Sequence, residues 1–124
     1  MGGAAAVPGN ASPVAEFNFY VDPDAALEVI AACQSLVVVP LDVTCQIGID
    51  SEEIERRIRP LKTARSAFFC EATEVVVRHG RDTGGYAGVV LHDPAAVVYA
   101  IRPDFFGVSG ARGVFIFKPE RFDD

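Results

Sequence analysis

The sequence predicts an α/β fold: an open, mostly parallel sheet flanked by helices. Three observations predict it. Ala26, Val29, Ile30 and Cys33 recur at i, i+3, i+4, i+7, the spacing of one apolar helix face. The continuous apolar run Leu36-Val37-Val38-Val39 follows and stops at Pro40, as a strand covered on both faces would read. A second helical pattern runs from Lys62 to His79. Helices alternating with a buried strand are the signature of the α/β class. No internal repeat and no low-complexity linker interrupts the chain, so residues 1–124 are expected to form one domain.

Each element has a local reason. The first ~18 residues are rich in Gly and Ala and read as loop or buried turn. Asp22 is placed to cap a helix, with Pro23 at its first position and Asp24 in its first turn. Leu41–Gln46, LDVTCQ, reads as a loop at the C-terminal edge of the preceding strand, where ligands gather in open α/β sheets. Ser51 is expected to cap the next helix. On it Glu52/Arg56, Glu53/Arg57 and Glu55/Arg59 form i,i+4 pairs on a solvated face, and Pro60 ends or kinks it. Over 62–79, Ala64, Phe68, Ala72, Val75 and Val76 share a face, Phe68 and Phe69 read as core, and Gly80 is the expected stop. Arg81–Gly88, RDTGGYAG, is a Gly-rich connector or a flap carrying Tyr86. Asp93-Pro94 starts a helix through Ala95–Ile101, and Gly113–Lys118 reads as a last strand.

Composition excludes several classes. Half of the chain is hydrophobic and the net charge is −6, with acids and bases interspersed. Nucleic acid and anionic membrane surfaces both call for clustered Lys and Arg, so neither is an expected partner. No apolar run approaches the roughly 20 residues that span a bilayer. The first residues, MGGAAAVPGNASP, lack a basic segment before the apolar one, so no signal peptide is expected and the location reads as cytoplasmic. Cys33, Cys45 and Cys70 are odd in number and form no CxxC pair, consistent with reduced cysteines and no zinc or thioredoxin-type site.

Two constellations could carry chemistry. Asn10, Glu16 and Asn18 offer a carboxylate and two amides beside Phe17 and Phe19, a mixed donor and acceptor set suited to the vicinal hydroxyls of a sugar. The same residues could equally satisfy backbone groups of their own loop. His92-Asp93 pairs an imidazole able to donate to a departing group with a hard oxygen ligand. Read in isolation, Asp93 before Pro94 is also an ordinary helix cap and His92 an ordinary loop residue.

GNASPVAEFNFYVDPDAA (Gly9–Ala26) resembles the ribose-binding segment of the inosine-uridine preferring nucleoside hydrolases. LDVTCQ and LHDPAAVVYAI (Leu91–Ile101) lie in that family's order and spacing, and the opening MGG is similar to its strand-end motif. The likeness covers roughly Met1–Asp104 and implies a nucleoside hydrolase-like fold. It implies that Met1, Asn10, Glu16, Phe17 and Asn18 bind substrate, that His92 is the general acid for the departing base, and that Asp93 is a Ca²⁺ ligand. The implied reaction is hydrolysis of the N-glycosidic bond of a ribonucleoside to base and ribose, by a calcium-bound water, in purine or pyrimidine salvage. The partners implied are a ribonucleoside or ribose and a second copy of the chain.

The family's aspartate-rich turn, DxDxGxDD, does not occur in this sequence. It would supply the catalytic base and most of the 6–8 oxygens that Ca²⁺ requires. Cys45 stands where many relatives carry His after LDVT. Met1 falls on a Met that the family carries in mid-chain. The resulting expectation is the C-terminal portion of a nucleoside hydrolase, a single partial domain over 1–124, inactive when isolated. The alternative is a non-catalytic remnant or self-associating interaction module. A third reading has another polypeptide supply the aspartates.

Overall fold

A computed structural model describes residues 1–106 and 115–117. In chain order the elements are α1 (Phe17–Val21), α2 (Pro23–Ala32), β1 (Leu36–Val38), α3 (Leu41–Thr44), β2 (Gly48–Asp50) and α4 (Ser51–Glu53). A wide π-type turn (Ile54–Ile58) and a tight 3-10 turn (Arg59–Leu61) continue α4. Then come α5 (Ala64–Thr83), β3 (Gly88–Val90), α6 (His92–Ile101), a 3-10 turn (Pro103–Phe105) and β4 (Phe115–Phe117). They form two compact units, Met1–Gln46 with His92–Asp124, and Ile47–Leu91.

In the first unit, Asp22 caps α2 as its sequence predicts, accepting the Ala25 N–H at 2.9 Å, with Pro23 opening the helix. Of the apolar face, Ala26, Ile30 and Cys33 are half-buried, while Val29 is exposed. Strand β1 pairs antiparallel with β4, Leu36 opposite Phe117 and Val38 opposite Phe115. Beyond β1, the Gly2 N–H donates to Val39 O at 3.2 Å and the Leu41 N–H to Gly3 O at 2.9 Å. Val39, Leu41 and Ala95 are buried apolar residues of this unit, and α3 packs on α6.

LDVTCQ, expected as a loop, folds as a helical turn over its first four residues. Leu41, Asp42 and Thr44 are buried there. A buried irregular loop would leave backbone groups unpaired, whereas the turn pairs the Val43 and Thr44 amides with Pro40 O, each at 3.0 Å.

In the second unit, Ile54, Cys70 and Val77 form the core, with Ile49, Ile58, Phe69 and Val89 packed around them. Strands β2 and β3 pair antiparallel, Ile49 opposite Val89. Asp50, not Ser51, caps α4, accepting the Glu53 N–H at 2.7 Å. The Glu53–Arg57 and Glu55–Arg59 ion pairs form at 3.1 and 2.6 Å, and Arg56 turns to Glu53 rather than Glu52. Thr63 and Ser66 cap α5 reciprocally, side chain to backbone in both directions.

Helix α5 ends at Gly84, whose φ of +69° is left-handed, and not at Gly80. Gly80 is a buried interior residue, and a Cβ there would lie 2.1 Å from Tyr86 O. It is glycine because the turn after the helix folds back onto it. Of the two phenylalanines expected in the core, only Phe69 packs there; Phe68 is 73% exposed.

The α/β class holds, but both strand pairings are antiparallel and none is parallel among the described residues. The partner of β1 arrives from the far end of the sequence, and β2 and β3 are brought alongside each other after α5 reverses the chain. Of the strand expected at Gly113–Lys118, Phe115–Phe117 is strand; the flanking residues lie outside the described ones.

Candidate functional site

The residues that the sequence singles out all fall in the first unit. Five of them form one hydrogen-bonded cluster at the start of α1. Glu16 is the N-cap and is 2% exposed. Its Oε1 accepts the Asn18 N–H at 2.9 Å, and its Oε2 accepts Gly3 N–H at 2.9 Å and Phe19 N–H at 3.4 Å. The Asn10 Oδ1 accepts the Phe17 N–H at 2.8 Å. Asn18 Nδ2 donates to Met1 O at 3.3 Å and faces Met1 Sδ at 3.5 Å. Phe17 is 58% exposed beside this polar set.

Each of these bonds has a local cause. The first amides of a helix lack partners within it, and Glu16 satisfies two of them in α1. Reaching Gly3 as well ties the chain start to a turn thirteen residues on. The carboxylate therefore does what the bland reading of the sequence allowed, holding backbone groups. With three N–H donors on roughly four lone-pair positions, it retains room for about one further donor. Asn10 and Asn18 are exposed, with Asn10 Nδ2 and Asn18 Oδ1 making none of the bonds given above.

His92 opens α6 and is joined to α3. Its Nδ1 lies 2.7 Å from Thr44 Oγ1, a bond across 48 positions of sequence. Thr44 is 0% exposed, so one ring nitrogen of His92 is held from the protein interior. Asp93 follows in the first turn of α6 and is exposed.

Two residues matter here that the sequence did not single out. Asp42, 3% exposed, accepts Ala5 N–H through Oδ2 at 2.9 Å and Ala6 N–H through Oδ1 at 2.7 Å. Thr44 holds His92. Their one signal was position, after a continuous apolar run at its C-terminal edge; that run forms the half-buried strand β1, not one covered on both faces. Hydrogen bonds join the Glu16 cluster to Gly3 and Gly3 to Leu41, the first residue of α3; Thr44, the last residue of the same turn, bonds His92.

The donor set does not fit a bound Ca²⁺. Among the described residues no three of His, Cys, Asp and Glu come together as a metal site. Glu16 and Asp42 are engaged by backbone amides, and Asp93 alone is far short of the 6–8 oxygens required. No helix among the described residues is long and apolar enough to cross a membrane.

Sequence comparison shows the family. The family model of inosine-uridine preferring nucleoside hydrolases matches residues 1–121, further than the stretch over which the motifs are legible by eye. The pyrimidine-specific ribonucleoside hydrolase RihA of Shewanella oneidensis is 39% identical over 107 residues, which is 86% of this chain and 33% of that protein. RihA of Salmonella typhimurium is 37% identical over 107 residues, 86% of this chain and 34% of its own length. The chain thus spans about a third of the length of these curated relatives. With the match extending over nearly every residue, the chain belongs to the inosine-uridine preferring nucleoside hydrolase family.

Proposed function

We propose that this chain carries the ribose-facing and leaving-group portion of a ribonucleoside hydrolase, as one partial domain over 1–124. Its substrate would be a ribonucleoside, cleaved at the N-glycosidic bond through an oxocarbenium-like transition state. Met1, Asn10, Glu16, Phe17 and Asn18 would meet the ribose, and His92 would face the departing base. The observation that carries this reading is the short turn α3, whose first residue Leu41 is bonded to Gly3 and through it to Glu16, and whose last residue Thr44 is bonded to His92. It links the two sequence motifs within one unit. The names of the relatives favour pyrimidine nucleosides. In a complete domain Asp93 would give one oxygen to Ca²⁺, the sheet would be open and mostly parallel, and the active form would be a cytoplasmic homo-oligomer. No step is assigned to calcium on this chain, because its described residues do not build the shell.

The test is ribose release from uridine, cytidine and inosine by the purified chain with millimolar Ca²⁺, beside His92→Ala. We expect no turnover from the chain alone. Turnover should appear when a polypeptide carrying a DxDxGxDD segment is supplied, and should fall with His92→Ala. No turnover in any combination, with the chain folded, would sink the hydrolase reading.

A second reading, a non-catalytic self-associating module, is favoured by one observation. Phe68, Val75 and Val76 of α5 are 73%, 63% and 54% exposed. Apolar side chains gathered on one helix face call for cover. Sedimentation showing a clean monomer across concentrations would count against it.

A further inference from the structure

The geometry points to Thr44 as a positioning residue that fixes the tautomer of His92. The inference rests on the hydrolase reading for its purpose, but not for its geometry. Thr44 Oγ1 and His92 Nδ1 are 2.7 Å apart, a hydroxyl–nitrogen hydrogen bond whose direction the distance alone does not set. Burial sets it. A threonine hydroxyl has one proton to donate, and no other hydrogen bond of this hydroxyl is formed among the described residues. Thr44 is 0% exposed, so that proton cannot turn to solvent. If Nδ1 carried the ring proton and donated it to Oγ1, the hydroxyl proton would be buried without an acceptor, a cost of about 1–3 kcal/mol. If the hydroxyl donates to Nδ1, every group is satisfied.

The consequence is chemical. With Nδ1 accepting, the neutral ring carries its proton on Nε2, the nitrogen that Thr44 leaves free. His92 then presents Nε2–H as a hydrogen-bond donor in a fixed orientation. Toward a departing base this polarises an acceptor atom of the base. Complete transfer of that proton from a neutral ring would leave an imidazolate, so in this state the ring acts as an oriented donor. The backbone supports the arrangement from both sides. Thr44 ends α3, its own N–H paired with Pro40 O at 3.0 Å, and His92 begins α6, which packs on α3.

The experiment is a long-range proton–nitrogen NMR spectrum of the full chain labelled with nitrogen-15 histidine, at a pH well above the usual imidazole range. His79→Gln removes the other histidine, an exposed residue of α5, and leaves one ring to read. The expected spectrum has one unprotonated nitrogen, Nδ1, and one protonated nitrogen, Nε2, well separated. Thr44→Ser should keep that pattern, and Thr44→Val should collapse it toward an exchange-averaged pair. A protonated Nδ1, an averaged pair in the unaltered chain, or a Thr44→Val spectrum identical to the unaltered one would each overturn the inference. If Thr44→Val does not fold, the unaltered chain and Thr44→Ser decide it. A fixed Nε2–H ring with no nucleoside turnover even when a polypeptide carrying a DxDxGxDD segment is supplied would leave Thr44 standing and remove the hydrolase reading; averaged nitrogens with turnover in that combination would do the reverse.

Discussion

Glu16 accepts the backbone N–H of Gly3 at 2.9 Å, although the two are thirteen residues apart. The same carboxylate caps α1, so a residue expected at a sugar also closes the turn that forms the cluster. Glu16→Gln keeps one acceptor oxygen and turns an NH₂ toward a backbone amide. We expect a stability loss of about 2 kcal/mol, since a hydrogen bond to a charged group contributes about 1.5–3 kcal/mol. Urea unfolding of the ligand-free chain measures it. An unchanged midpoint would mean that Glu16 serves only a ligand.

Asp42 makes a parallel prediction for the chain start. Asp42→Asn retains one good acceptor for two amides, Ala5 and Ala6. Hydrogen exchange at one of them should accelerate by at least tenfold, from a loss of about 1.5 kcal/mol. Equal protection of both amides in the variant would show that the carboxylate is not what holds them.

In the second unit the two glycines at the end of α5 should respond differently. Gly80→Ala places a methyl against Tyr86 O, and such overpacking costs about 1–3 kcal/mol. Gly84→Ala meets nothing within 4 Å but must adopt φ of +69°, costing about 1 kcal/mol. Thermal unfolding of the two variants should rank Gly80→Ala as the more damaging. The reverse order would show that the turn at Tyr86 yields easily.

The side-chain hydrogen bond from Arg59 holds the Glu55 carboxyl below its usual range. Because the folded value is depressed, the pair's stabilisation is present above the unfolded carboxylate range. It is lost as pH falls through the lowered folded value. Carboxyl NMR titration should place Glu55 below a free glutamate, and Arg59→Gln should return it. The pair is solvent-exposed, so the unfolding midpoint should scarcely move.

Much of this was legible from the chain alone. The capped start of α2 at Asp22-Pro23, the apolar run of β1, a helix start at Asp93-Pro94 (the helix begins one residue earlier, at His92) and the family itself all follow from short motifs. Local physics writes these: a cap needs a residue type at a position, and a run of β-branched apolar residues favours a strand, although β1 is half-buried rather than covered on both faces. Tertiary structure decided the rest. Whether Glu16 spends its oxygens on backbone or keeps them for a ligand depended on where Gly3 came to lie. Whether α5 stopped at Gly80 or Gly84 depended on the returning turn at Tyr86. The direction of the partner of β1 and the bond between Thr44 and His92 join residues far apart in sequence. Spacing carries no record of such pairings, because they are chosen by the free energy of burying and satisfying groups that meet only after the chain has folded.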